Sequence, residues 1–187
     1  QVRALGDFEG ALTWHQQALE LVIARYSPTH PATAPVMINI GNVHLAAGRL
    51  KEAVEWYEKA QAVLLENYGP DSLELADVRS NLGATLLRQG KLEESEPLLR
   101  KALATVTARM GEDSNARLAL LNNLAILLRY TGKTDEAADL LQAALRISRS
   151  VYGDTNEQVA NALINLGDVQ LARRDFEGSV KSYEEAI

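Results

Sequence analysis

No cysteine occurs in the 187 residues. Disulfides and thiolate zinc sites are therefore excluded, and a reducing, cytoplasmic setting is the expectation. No stretch approaches the roughly 18 uninterrupted apolar residues of a bilayer-spanning helix, and the N-terminus lacks the basic-then-apolar layout of a secretory signal. Neither a membrane nor export is expected. Basic stripes are also missing: the formal charge is -6, and Lys and Arg are scattered. That opposes a phosphate backbone and argues against nucleic acid as a partner. There is no phosphate-binding glycine loop, no HExxH and no nucleophile elbow. His15, His30 and His44 form no closely spaced pair, so no metal, no cofactor and no enzymatic activity are expected. With 47% hydrophobic residues and moderate charge, the chain is too apolar for disorder and can bury a sizeable core.

The sequence repeats. Glycine stands at 6, 48, 90 and 132, each 42 residues after the last, with Arg174 in the next slot. The same interval relates Asn39, Asn81, Asn123 and Asn165, the alanines from Ala18 to Ala186, and Gly69, Gly111 and Gly153. A fixed period of 20 to 50 residues marks stacked supersecondary units. The expected layout is a partial unit at 1–32 (a second helix and linker), full units at 33–74, 75–116 and 117–158, and a partial unit at 159–187. Both ends look cut, since neither offers the polar face of a capping repeat. End-to-end self-association through bare apolar surface is therefore expected.

Each period holds two helical stretches, about Leu75 to Gln89 and Leu92 to Arg109, separated by glycine. The fold class is all-α, built of stacked antiparallel helical hairpins. Glycine after each helix suits a left-handed C-cap. Acidic pairs such as Glu93-Glu94 complement the dipole at the start of second helices. Thr134 is the expected N-cap in the third unit, and Asp71-Ser72, Asp113-Ser114 and Thr155-Asn156 supply acceptors between units. Pro97, about five residues into its helix, either bends it or is tolerated near the first turn. The repeat-equivalent aromatics Trp14, Trp56, Tyr26, Tyr68 and Tyr152 are assigned to packing between helices, as are His15 and His44.

Down the columns, each first helix carries a large residue, then an apolar residue followed by Gly or Ala, then a further position: Met37, Ile40-Gly41 and His44; Arg79, Leu82-Gly83 and Leu86; Leu121, Leu124-Ala125 and Leu128; Leu163, Leu166-Gly167 and Gln170. Second helices carry Ala53, Tyr57 and Ala60; Ser95, Leu99 and Ala102; Ala137, Leu141 and Ala144; Ser179, Tyr183 and Ala186. This pattern resembles the tetratricopeptide repeat over essentially the whole chain. The usual unit is about 34 residues, and the longer period, with "NLG", "GKLEESEPLLRKAL" and "YGPDS", resembles the kinesin light chain type. The resemblance implies a right-handed α-solenoid, or superhelix, whose first helices line a concave surface. It also implies a protein-protein interaction scaffold or adaptor. A sensor or oligomerisation arm of a larger signalling ATPase or enzyme is the alternative. Arg79, Gln170 and Arg174 depart from the pattern.

At 100° per residue, Met37, Ile40, Gly41 and His44 form the stripe facing the second helix, and positions 35, 39, 42 and 46 form a strip on the far side. The equivalent strips are Asp77, Asn81, Ala84 and Arg88; Ala119, Asn123, Ile126 and Tyr130; and Asn161, Asn165, Asp168 and Ala172. An asparagine amide donates and accepts, so a ladder of them can pair with a peptide main chain whatever its side chains. The candidate groove residues are Asn39, Asn42, Asn81, Arg88, Asn122, Asn123, Arg129, Tyr130, Asn165 and Asp168, with Arg88, Asn122, Arg129 and Tyr130 setting selectivity. The competing reading has each asparagine bonding a neighbouring helix and fixing the stacking, with Arg88 and Arg129 as solvated surface charges.

Overall fold

A computed structural model describes residues 7–187; Gly6, the first of the glycine column, lies outside them. The described residues form nine α-helices and no strand. They are α1 (Phe8–Arg25), α2 (Thr33–Ala46), α3 (Leu50–Tyr68), α4 (Leu73–Arg88), α5 (Leu92–Met110), α6 (Leu118–Tyr130), α7 (Thr134–Tyr152), α8 (Glu157–Ala172) and α9 (Phe176–Glu185). A single 3₁₀ turn, Asn115–Arg117, leads into α6. The second helices α3, α5 and α7 each run 19 residues, against 13 to 16 for the first helices α2, α4, α6 and α8. No helix among the described residues is long and apolar enough to cross a membrane.

The chain divides into two compact units, residues 1–98 and 99–187, with the division inside α5. In the first unit, Ile40, Ala53, Tyr57, Ala60, Leu75 and Val78 are fully buried at the centre of one apolar cluster. Val36, Val43, Ile38 and Leu45 pack on it from both flanks of α2, so that helix is held on three sides. In the second unit, Leu121, Ala144 and Ile147 form the corresponding cluster, with Leu103 and Leu140 against it. α5 runs unbroken through Pro97, which is exposed, so the missing amide and the ring meet solvent rather than core.

Every described turn inside a hairpin has the same hydrogen-bond geometry. Arg49 N donates to His44 O at 2.9 Å while Gly48 N donates to Leu45 O at 3.1 Å. The 6→1 and 5→2 pair recurs at Lys91 and Gly90, at Lys133 and Gly132, and at Asp175 and Arg174. This is the Schellman termination, which needs positive φ at the middle residue. Gly48, Gly90 and Gly132 supply it at 74°, 76° and 78°, and Arg174 is forced to 64°.

The glycines between hairpins behave differently from the left-handed C-cap expected of them. Gly69 (φ 78°, ψ 176°) and Gly153 (φ 77°, ψ 172°) are in an extended positive-φ region open essentially to glycine alone. There the chain must leave the helix and straighten into the linker instead of reversing.

Helix starts follow the sequence reading in part. Ser72 and Asn156 cap α4 and α8 by accepting from Leu75 N and Gln158 N. Ser114 caps the 3₁₀ turn rather than α6. Thr134 is not the N-cap of α7: Lys133 holds that place without a side-chain bond to the helix's first amides, because the Schellman turn fixes which residue leads into the helix. Asp7 and Asp175, in the same column as Lys133, do cap, accepting from Gly10 N and Gly178 N.

Packing between helices accounts for only one of the assigned aromatics. Trp56 lies partly buried against the first unit's core with the Lys59 ammonium 4.1 Å above its ring. Trp14 is 74% exposed, and Tyr26, Tyr68 and Tyr152 are exposed as well. The tyrosines sit in the last turn of second helices or just past it, and Tyr26 stacks on His30 with ring centroids 4.3 Å apart.

Replacing Arg174 by glycine removes the left-handed strain at no cost in contacts. The expected gain is about 1 kcal/mol. In a thermal melt followed by circular dichroism it should read as a rise of roughly 2–4 °C.

Candidate functional site

The strip opposite the packing stripe is open to solvent along every first helix. Pro35, Asn39, Asn42 and Ala46 are exposed on α2. On α4 and α6, Asp77, Arg88, Ala119 and Tyr130 are exposed, with Asn81, Ala84, Asn123 and Ile126 half-buried between them. On α8, Asn161 and Ala172 are exposed while Asn165 and Asp168 are half-buried. The phase follows from what packs behind the strip: Met37, Ile40 and Gly41 on α2 and Leu121, Leu124 and Ala125 on α6 are buried.

The amides differ in what they already hold. Among the described residues, the side chains of Asn39, Asn81 and Asn123 have no hydrogen-bond partner. Asn165 Nδ2 faces Asn122 Oδ1 across α8 and α6 at 3.5 Å, a long and weak contact. Stacking through asparagine, the competing reading of the column, is thus seen at one rung of four. Arg88 is exposed and lies outside any ion pair among the described residues.

Two groove positions are tied to the core beneath them. Tyr57 OH donates to Asn42 Oδ1 at 2.7 Å, and Tyr183 OH donates to Asp168 Oδ1 at 2.8 Å. Each bond joins a first helix to the second helix of its own hairpin. Both tyrosines press on a glycine one residue before the acceptor. A Cβ on Gly41 would fall 2.6 Å from the Tyr57 ring, and one on Gly167 2.5 Å from Tyr183. In the two hairpins between, tyrosine is Leu99 or Leu141 and the acceptor is Ala84 or Ile126. A phenol brought into the hairpin thus comes with an acceptor on the strip, and a leucine with an apolar neighbour. That exchange is visible in the aligned repeats, and it is the signal by which sequence reading could have found the bond.

In the second unit the strip and its flank carry an ion pair. Arg129 Nη2 stands 3.8 Å from Asp168 Oδ2, while its guanidinium lies 4.7 Å from the centre of the Tyr130 ring. Asp168 therefore serves both Tyr183 and Arg129. Its hydrogen bond, with burial adding to it, raises the Tyr183 phenol above its ordinary pKa. Burial alone pushes Tyr57 up to about 12.

The departures from the repeat pattern have local partners. Arg79 Nη1 donates to Pro70 O at 2.7 Å, clamping the linker in front of its helix. Gln170 Oε1 accepts from Ser182 Oγ at 2.7 Å, so a polar pair spans the hairpin. Of the histidines, His30 Nδ1 accepts from Ala32 N within its linker, and burial lowers the pKa of His44. No group of residues suited to a metal occurs among the described residues.

Gly41→Ala should destabilise the chain by about 1–3 kcal/mol through overpacking against Tyr57. Adding Tyr57→Leu, which recreates the Ala125 and Leu141 combination, should recover most of that loss in a double-mutant cycle of chemical denaturation. Tyr57 also makes alkaline stability testable. Its folded pKa lies above the unfolded value near 10, so its contribution is intact below pH 10 and lost as pH rises toward about 12. Tyr57→Phe should flatten denaturation midpoints in that window.

The profile of the tetratricopeptide repeat matches residues 2–66, 39–108, 74–150 and 116–187, which together span nearly the whole chain. No curated protein matches. Among solved structures, BtubC (BKLC) from P. vanneervenii is 26% identical with a TM-score of 0.87, over 97% of this chain and 72% of that one. A kinesin light chain-like protein from Podosopora anserina, with nearly identical TPR-like repeats, shares the fold at 18% identity and a TM-score of 0.83, over 97% of this chain and 85% of that one. YrrB, a TPR protein with an unusual peptide-binding site, shares it at 22% identity and 0.64, over 97% and 77%. The chain, with its 42-residue register, belongs to the tetratricopeptide repeat family.

Proposed function

We propose that within each unit the strip along the first helices binds an extended segment of a partner protein, with the asparagines of that unit pairing to its main chain. Family membership supports a non-enzymatic protein-interaction scaffold, and the absence of cysteine supports a cytoplasmic setting. The observation that carries the finer reading is the idle state of the amides. Asn39, Asn81 and Asn123 hold the same position on three first helices, Asn39 exposed and the other two half-buried, and make no hydrogen bond among the described residues. A residue kept for stacking would spend its amide on a neighbour, whereas these retain two donors and an acceptor each.

Selectivity then falls to what lies beside the amides. Arg88 offers the first unit an exposed cation. The second unit offers Asn122, Ile126, Arg129 and Tyr130, and Arg and Tyr are over-represented where binding energy concentrates. Asn42 takes part through its Nδ2 donors, since its Oδ1 accepts from Tyr57, and Asp168 through Oδ2, since its Oδ1 accepts from Tyr183.

The test is a double substitution, Asn81→Ala with Asn123→Ala, one amide removed from each unit. Each unit loses one hydrogen bond worth about 0.5–1.5 kcal/mol, which should weaken partner binding at that unit by roughly 2- to 13-fold. Helix content and melting temperature should hold. Affinity capture followed by titration of each recovered partner reads this directly. Unchanged affinity with a lowered melting temperature would instead make the asparagines stacking residues.

A further inference from the structure

A groove of about 370 Å³ opens along the C-terminal half of α5, walled by Leu103, Ala104 and Ala108 together with Leu124 of α6 and Leu140 of α7. All of these residues belong to the second unit. The α5 wall is small: where it has Ala104 and Ala108, α1 has Glu20 and Ala24, α3 has Ala62 and Glu66, and α7 has Arg146 and Ser150. One end is tied shut, because Arg100 donates to both carboxylate oxygens of Glu136 on α7 at 2.6 and 2.9 Å. Arg117, which also lines the groove, has no such match. It stands at a core position, since its equivalents Thr33, Leu75 and Val159 are 0, 0 and 2% exposed. Its Nη1 donates to the Glu112 carbonyl just past the end of α5, its Nε is enclosed without a partner, and the Asp113 carboxylate faces Arg146 at 3.8 Å instead. An enclosed, unmet donor on a charged group costs free energy that an arriving anion would recover.

We infer that this groove binds an unbranched alkyl carboxylate, with its head group on Arg117 and its chain along Ala108 and Ala104. The head is set by the guanidinium. With Nη1 committed to Glu112, the edge formed by Nε and Nη2 remains, and that edge takes a carboxylate through two parallel hydrogen bonds. The tail is set by the walls, which apart from Thr107 are apolar between the two arginines. From Ala108 to Arg100 the groove runs about 12 Å along α5, the reach of an extended chain of roughly ten carbons. Its volume falls within the range of about 300–1,000 Å³ typical of small-ligand sites. None of its residues belongs to the asparagine strip, so this inference and the peptide-binding reading stand apart.

Sodium decanoate titrated into the isotopically labelled 187-residue chain tests this, read by amide shifts and by the Nε–H resonance of Arg117. Saturation with a dissociation constant on the order of 100 µM is expected, with shifts centred on Ala104, Ala108 and Leu140. Arg117→Leu, which installs the residue found at Leu75, should keep the melting temperature and weaken decanoate binding at least about tenfold. Ala104→Leu, at an exposed helix position, should do the same by narrowing the groove. Butyrate, with the same head group and a short tail, should bind at least about tenfold more weakly than decanoate. The Asn81→Ala, Asn123→Ala chain should bind decanoate as the wild type does. No saturable shift at decanoate concentrations on the order of 5 mM would overturn the inference, as would unchanged affinity in either groove variant. Butyrate binding as tightly as decanoate would overturn it in favour of a plain anion site.

Discussion

A two-helix hairpin with a stripe on each helix cannot bury both stripes within itself. Every other feature of this protein answers that constraint. α2 is covered on three sides because its hairpin partner takes the Ile40 and Gly41 stripe and neighbours take the flanks at Val36, Val43, Ile38 and Leu45. What remains is one narrow strip per first helix, and the 42-residue period places an asparagine at the same rung of each. Function is thus confined by elimination: the fold leaves the first helices one face on which a side chain can do anything except pack.

Within that constraint, polar side chains fix register more than they add stability. The ion pairs Arg49 with Glu9, Arg100 with Glu136, Arg149 with Glu185 and Arg173 with Asp135 each join residues about one repeat apart. All are at least partly exposed, and such pairs contribute about 0–1 kcal/mol each. Their value is geometric, since each can close only when successive hairpins are in the correct phase. The Schellman turns do the same within a hairpin, and hold even where Arg174 must adopt φ 64° to keep the pattern.

Much of this was legible in the residues because repetition multiplies weak signals. One glycine is a poor predictor, but glycine at 48, 90 and 132 marks three turns of one kind. The outward phase of the strip followed from helical arithmetic alone. The readings that missed were local and depended on geometry that residue type does not carry. Gly69 and Gly153 look like Gly48 in sequence, yet their ψ differs because the chain there straightens rather than reverses. Thr134 looks like a cap, but the turn before it leaves Lys133 in that place. The tyrosines at the ends of second helices recur in register, and recurrence was read as burial when it reflected position on a helix end.

The bond between Tyr57 and Asn42 links the binding face to the interior, and this shapes how such a face changes over generations. Converting the Tyr–Asn hairpin to the Leu–Ala form seen at Leu99 and Ala84, which keeps its glycine at Gly83, takes two substitutions, and either one alone is penalised. Losing the acceptor first leaves a buried phenol unsatisfied, at a cost of about 1–3 kcal/mol. Losing the ring first leaves a cavity against Gly41. The strip is therefore not free to drift residue by residue. Its polar and apolar rungs are inherited as pairs, and a new preference for a partner is reached most readily by duplicating or exchanging a whole hairpin.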